Sequence, residues 1–442
     1  VLLHELPYIP DSSRLFEIIA HRPWAIFLDS SRPKAAGRWD ILAADPIATF
    51  VTRGSITELR CNQGLTVSQD DPFNLLRNAL NSRFDRSHAE SGDKPFAGGA
   101  IGWFGYDLAR RIERLPIIAA ATDDIPDMVI GIFDWAVLVD HESKRTWLAS
   151  YVCDPNTKQL WPKLIRMWQK LPDTPIHHPF RVLDLPRPNL NYEQYTNAFN
   201  RIHHYIRNGD CYQVNFALNY TVNAEGDSWT AYKVLRNLNP APFSAFLKTP
   251  YGQILSSSPE RFLKVQNDTV ETCPIKGTRP RSNNVDEDWK LGKDLVTSVK
   301  DRAENLMIVD LLRNDLGRVC VPGSILVPQL FKLEKYATVQ HLVSTITGQL
   351  APGQDALTLL RSCFPGGSIT GAPKIRAMQI IEELEPKRRG VYCGAIGYIG
   401  FDGAMDTNIV IRTLIYNNST IKFWAGGGIV YDSTVEQEYE EI

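Results

Sequence analysis

The chain has 442 residues, 43% of them hydrophobic and 22% charged, with a formal net charge of -2. This size allows two lobes or one unusually large layered domain with a deep site, and a near-neutral charge without a basic stretch excludes a general nucleic-acid binder. The longest apolar region, 128–139, is interrupted by Asp134 and falls short of the roughly 20 apolar residues that cross a bilayer, so no membrane association is expected.

Seven cysteines are scattered with no CxxC pair, which fits reduced thiols in the cytoplasm better than a disulfide framework or a zinc site. Val1 opens the chain without a signal-peptide pattern, implying a trimmed N-terminus.

In chain order, 24–28, 47–51 and 135–139 are short apolar runs bounded by turn residues, which predicts buried strands of an antiparallel sheet. A helical pattern over 160–171 follows. The proline-rich stretch 171–188, with His177 and His178 adjacent, predicts an extended connector and the main boundary of the chain. Beyond it, the apolar spacing of 192–208 predicts a helix ending at Asn208-Gly209, and 211–220 alternates like a strand. Glu260 and Lys276 fall at the ends of two short predicted strands, 253–255 and 262–265, or in the turns beyond them. Such ends are where sites tend to sit. The clearest helix is 300–316, with an apolar face and with Asp301 and Glu304 in its first turn. Helices at 356–363 and 372–384, strands at 394–399, 409–415 and 421–424, and a helical last segment complete the pattern, with no internal repeat.

A lysine and a carboxylate brought to one pocket can serve as nucleophile and general acid, which directs attention to Lys276 and Glu260. Asp301 with Glu304, and Glu438 with Glu441, are three apart on helices, so each pair projects from one face. Two such faces brought together suit a hard divalent cation. From spacing alone, a solvated acidic face and complementation of the helix dipole are the preferred account. The run Pro365-Gly366-Gly367-Ser368-Ile369-Thr370-Gly371-Ala372-Pro373-Lys374 opens a helix and offers free amides to an anion, but it is not a Walker A loop. Ala425-Gly426-Gly427-Gly428-Ile429 lets backbone approach a ligand closely, and a tight packing turn explains it equally well. Arg412 stands in an apolar strand pattern, where a substrate carboxylate or an internal salt bridge would answer its charge. Tyr398 and His341 have similar apolar settings, for which hydrogen-bonded core residues are the commoner explanation.

Taken jointly, Ser258-Pro259-Glu260-Arg261-Phe262, Pro274-Ile275-Lys276-Gly277-Thr278, Asp301-Arg302-Ala303-Glu304-Asn305, Gln340-His341-Leu342, Gly371-Ala372-Pro373-Lys374 and Ala425-Gly426-Gly427-Gly428 stand in an order and spacing that resemble the chorismate-utilising enzymes over most of the chain. The resemblance implies an α+β fold with two face-to-face antiparallel β-sheets and outer helices, and a site in a cleft between the sheets. It divides the chain into an N-terminal region, 1–185, and a C-terminal chorismate-binding catalytic region, 186–442. It also implies Mg²⁺ held by Glu304 and Glu441, with Asp301 and Glu438 acting directly or through water, against the ring carboxylate of chorismate. Arg412 and Tyr398 would hold the enolpyruvyl carboxylate, assisted by the amides around Gly427 and Gly428 and by the Thr370 hydroxyl. His341 would lie near the leaving group without an assigned proton transfer.

Two positions separate the reactions of such enzymes. Gln213 stands where the members that add water carry a lysine, so water is not the expected nucleophile. Members that form anthranilate share Gln213 but typically carry Ala where Lys276 stands. The implied activity is amination of chorismate at C4 to 4-amino-4-deoxychorismate, for p-aminobenzoate and folate, through a covalent Lys276 adduct with Glu260 as acid. Anthranilate formation, with amination at C2 and pyruvate release, is the alternative, and a non-catalytic binding subunit is a third possibility. No cysteine sits in a Gly-x-Cys-x-Gly elbow, so ammonia is expected from a separate glutamine amidotransferase subunit, component II. Ser30 and Pro242-Phe243-Ser244 match regions that hold tryptophan in such enzymes. The chain stops at Ile442, about one turn before the expected place of a substrate-binding lysine, so either it continues further or the carboxylate clamp is incomplete.

Overall fold

The computed structural model describes residues 1–31, 37–84, 93–121, 125–170, 179–336 and 338–442. One antiparallel sheet runs, in spatial order, through Leu2–Leu6, Arg145–Ser150, Ala136–Asp140, Trp39–Ala43, Ala25–Asp29, Phe243–Thr249, Gly252–Ser258, Thr413–Asn417, Thr420–Ile429, Gln213–Gly226 and Phe180–Val182. The other runs through Ile275–Pro280, Val339–Gln349, Thr269–Thr272, Arg261–Gln266, Met405–Ile409, Ala395–Gly400, Gly99–Phe104, Met128–Phe133, Ala48–Arg53, Ile56–Cys61 and Gly64–Ser68. Each sheet takes strands from both sides of the connector. His177 and His178 lie outside the described residues, and Phe180–Val182 and Arg187–Pro188 pair with Gln213–Gly226 as extended chain.

Strand periodicity explains the layering. Successive side chains point to opposite faces, so Ile26, Ile41, Leu247 and Ile254 enter the core between the sheets, where they share a cluster with Phe50, Ile101, Trp103 and Val129 of the second sheet. Their neighbours Phe27, Leu42, Phe246 and Leu255 face the other way and pack with Phe16, Trp168, Trp229 and Tyr232, which belong to or adjoin helices covering the first sheet. Fully burying each such side chain stabilises the fold by about 1.5–3 kcal/mol.

Two expectations are corrected. The predicted strand 409–415 is two strands in different sheets, Met405–Ile409 and Thr413–Asn417, because Arg412 takes a left-handed φ of 51° that turns the chain across the interior. Lys276 stands inside a strand of its own, Ile275–Pro280, rather than at the end of 262–265. Glu260 lies in a second crossing, the two-residue step between Gly252–Ser258 and Arg261–Gln266. The two crossings are bonded together: Ser258 Oγ donates to Ile409 O at 2.6 Å, Ile409 N to Glu260 O at 3.0 Å, and Ser257 N to Arg412 O at 3.1 Å.

Candidate active site

Lys276 and Glu260 meet through Ser368. Lys276 Nζ donates to the Ser368 carbonyl at 2.8 Å, and Ser368 Oγ donates to Glu260 Oε1 at 2.6 Å. Glu260 is 4% exposed, and burial pushes its pKa up to about 7 against the opposing pull of Ser368, Lys276 and the Ile275 amide. A carboxyl in that range supplies a proton near neutral pH. The register slips by one residue between Lys276 and Thr278, at Gly277, whose φ is 79°. A Cβ on Gly277 would stand 2.8 Å from Leu295 Cδ1 and 3.0 Å from Asp301 Oδ1, so the bare glycine lets the acidic helix close behind the lysine. Ser368 was not anticipated, although it lies in the glycine-rich run expected to offer amides to an anion.

His341 pairs with Thr278 across the same two strands, and its Nδ1 lies 2.9 Å from Thr278 Oγ1. Burial and the nearby Arg412 push its pKa down to about 4, so the ring is neutral at physiological pH. Its Nε2 is buried without a partner among the described residues, as are both amide atoms of the fully buried Gln213. Buried orphaned polar atoms are costly, and these three mark where a polar ligand would be accommodated. Gln213 lies against Gly428, where a Cβ would come within 2.8 Å of Nε2, and Gly427 abuts Glu438, where a Cβ would be 3.2 Å from Oε2. The glycine run is part of the strand Thr420–Ile429, and its bareness admits these two side chains.

Arg412 is exposed, with no ion-pair partner among the described residues, so both the buried-strand setting and the internal salt bridge are corrected. Partial desolvation still lowers its pKa against the opposing Tyr336. An unpaired guanidinium beside His341 is suited to an anionic ligand.

The four acidic residues are not equivalent. Helix Val299–Gly317 starts at Ser298, whose hydroxyl accepts from Asp301 N at 3.2 Å. Asp301 is held by Arg279 Nη2 at 3.0 Å. Burial is the largest cause raising the pKa of both Glu304 and Glu438; Asp301 and Glu438 add to the rise at Glu304 and Glu441 to that at Glu438, with Lys276 and Lys300 opposing both. Glu438 also accepts from Ser433 Oγ at 2.6 Å, and Glu441 is exposed in the last turn of Val435–Glu441. Among the described residues no three carboxylate, histidine or cysteine groups converge on one point. Magnesium commonly binds one or two carboxylates and keeps several waters, and the Glu304–Glu438 pair fits that demand.

Tyr398 and Thr370 depart from expectation. Burial, Asp406 and Asp402 push the Tyr398 phenol far above its usual range, its ring packs on Phe96 at 5.4 Å, and it lines a cavity whose lining does not include Arg412, Lys276 or Glu260. That cavity, about 890 Å³, is also lined by Ser30, Pro242, Phe243 and Ser244. The fully buried Thr370 hydroxyl donates to Gly366 O at 3.0 Å and so closes its own turn. Lys374 is likewise engaged, donating to Asp315 Oδ2 at 2.5 Å.

The sequence is 46% identical over 438 residues to aminodeoxychorismate synthase component 1 of Salmonella typhimurium, covering 99% of this chain and 94% of that protein. It is 48% identical over 427 residues to the Escherichia coli protein of the same name, covering 96% and 92%. Anthranilate synthase component I from Streptococcus pneumoniae superposes with a TM-score of 0.82 at 32% identity, covering 92% of this chain and 90% of that one. Residues 25–442 match the family described as chorismate binding enzyme. With two antiparallel sheets, flanking helices and this extent of similarity, the chain belongs to the chorismate binding enzyme family.

Proposed function

We propose that the protein aminates chorismate at C4, giving 4-amino-4-deoxychorismate for p-aminobenzoate and folate synthesis. The observation that carries this reading is the Lys276–Ser368–Glu260 contact, which brings an amine to a carboxyl whose own pKa burial pushes up to about 7. Relatives named aminodeoxychorismate synthase component 1 support it. Arg412 holds the enolpyruvyl carboxylate, and Gln213 and His341 Nε2 face the ring with their free polar atoms. Glu304 and Glu438, joined by Glu441, would hold Mg²⁺, which when bound supplies positive charge for the ring carboxylate. Fixing the substrate at two anionic handles provides the orientation that displacement requires.

Lys276 adds at C2 through the lone pair of Nζ, the conjugated double bonds shift, and the C4 hydroxyl leaves as water with the Glu260 proton. Ammonia then adds at C4, the double bonds shift back, the C2–N bond to Lys276 breaks, and a proton returns to Glu260. The enolpyruvyl ether stays intact. Free ammonia is mostly ammonium at neutral pH, so a separate amidotransferase subunit, component II, supplies it. The cavity beneath Ser30 and Phe243 has room for tryptophan.

Chorismate, Mg²⁺ and ammonium salt, with products identified by mass spectrometry, test the reading. The expected product is 4-amino-4-deoxychorismate, with a trappable Lys276 adduct when ammonia is withheld. Anthranilate with released pyruvate would refute it, as would wild-type rates and products from Lys276→Ala.

A further inference from the structure

Ser368 touches both members of the catalytic pair, one through its main chain and the other through its side chain. It is 5% exposed, and its turn is braced on several sides. Arg389 Nη1 donates to Ile369 O at 2.9 Å, Asn215 N donates to Thr370 O at 2.8 Å, and the Thr370 hydroxyl ties back to Gly366. Arg389 is itself anchored by Glu385 and by the Asn215 carbonyl. The serine therefore cannot swing away without breaking a buried network.

A carboxyl carries its proton on one oxygen, and an oxygen that already accepts a hydrogen bond is the less basic of the two. A neutral amine that donates one N–H to a carbonyl directs its lone pair elsewhere. We infer that Ser368 is a positioning residue of this reaction: its hydroxyl occupies Glu260 Oε1 so that Oε2 presents the acidic proton, and its carbonyl orients the Lys276 lone pair toward the substrate. The same hydroxyl steadies the carboxylate left after proton transfer. The inference rests on the proposed roles of Lys276 and Glu260.

The other charged or titratable groups facing Glu260 are Lys276 on the strand Ile275–Pro280 and Cys393 beside Ala395–Gly400, and a substitution at 368 leaves both in place. The Ser368 hydrogen bond lowers the Glu260 pKa. Its loss therefore keeps Glu260 protonated to higher pH.

Ser368→Ala and Ser368→Thr are compared with the wild type for chorismate consumption, with ammonium salt and Mg²⁺, between about pH 6 and 9. The Ala variant should lose about tenfold or more in kcat with KM changed less than about threefold, and its alkaline limb should move up by about one pH unit. The Thr variant keeps the hydroxyl and should restore the wild-type limb. Difference infrared titration of the Glu260 carboxyl, identified by its absence in Glu260→Gln, should report the same upward shift without turnover. An unmoved Glu260 titration, or a Thr variant that behaves like Ala, overturns the role. Neither readout depends on which amine is made, so anthranilate as the product would end the proposed function and leave Ser368 to be judged on its own.

Discussion

Arg389→Met removes the centre of the network that braces the Ser368 turn. Arg389 is 1% exposed and donates to Glu385 at 2.6 and 2.9 Å, to Ile369 O at 2.9 Å and to Asn215 O at 2.6 Å. Methionine fills the volume but supplies no donor, so Glu385 keeps only the Ala217 amide at 3.0 Å and two carbonyls lose their partner. Breaking one side of a buried ion pair costs about 3–5 kcal/mol, and each orphaned carbonyl adds about 1–3 kcal/mol. These terms sum to about 5–11 kcal/mol, and protonation of Glu385, whose pKa burial already raises, offsets part of this near neutral pH. The pH dependence has a definite sign. In the variant the folded Glu385 pKa lies above its unfolded value, so the folded state binds more protons and stability falls as pH rises from the unfolded pKa to the folded one. The slope there approaches about 1.4 kcal/mol per pH unit. Denaturant unfolding followed by tryptophan fluorescence should therefore show a larger deficit at about pH 8 than at about pH 5.5. Adding Glu385→Gln should remove that difference. A deficit below about 1 kcal/mol, or the same deficit at both pH values, refutes the reasoning.

Gly428→Ala and Gly371→Ala should separate activity from stability. The first presses on the far end of the Gln213 side chain and should cost under about 1 kcal/mol of stability while lowering kcat about tenfold. The second puts a Cβ 2.1 Å from the Gln213 carbonyl at a φ of 141° and should cost about 2 kcal/mol or more by denaturant unfolding. Calorimetry should show Mg²⁺ binding that weakens about tenfold or more in Glu304→Gln and Glu438→Gln but changes little in Asp301→Asn, since Arg279 already holds that carboxylate. Equal weakening in all three would contradict the division of the acidic residues. Each kcat effect is read from chorismate consumption.

Most strands and helices were readable from periodicity because their burial follows from local pattern. The run 409–415 misled because Ile409, Val410 and Ile411 are apolar for the sake of a crossing through the interior, and nothing in their order announces the left-handed turn at Arg412. Glu260 and Lys276 were found through the motifs around them, and the structure brings them together. Tyr398 was misplaced because alternation fixes that it points to a face, not which cavity lies beneath. Ser368 escaped notice because a serine between glycines looks like turn chemistry, and its bonds to two residues about a hundred positions away are visible only in three dimensions.

Glu260 and Arg412 hang from neighbouring segments that each step from one sheet to the other, so the thickness of the interior acts as a gauge for the distance between acid and guanidinium. Packing at Ile254, Phe262 or Ile396, none of which carries chemistry, sets that thickness. Trimming one of these side chains alters that gap and the size of ring the cleft accepts, at a cost to the fold of about 2–5 kcal/mol.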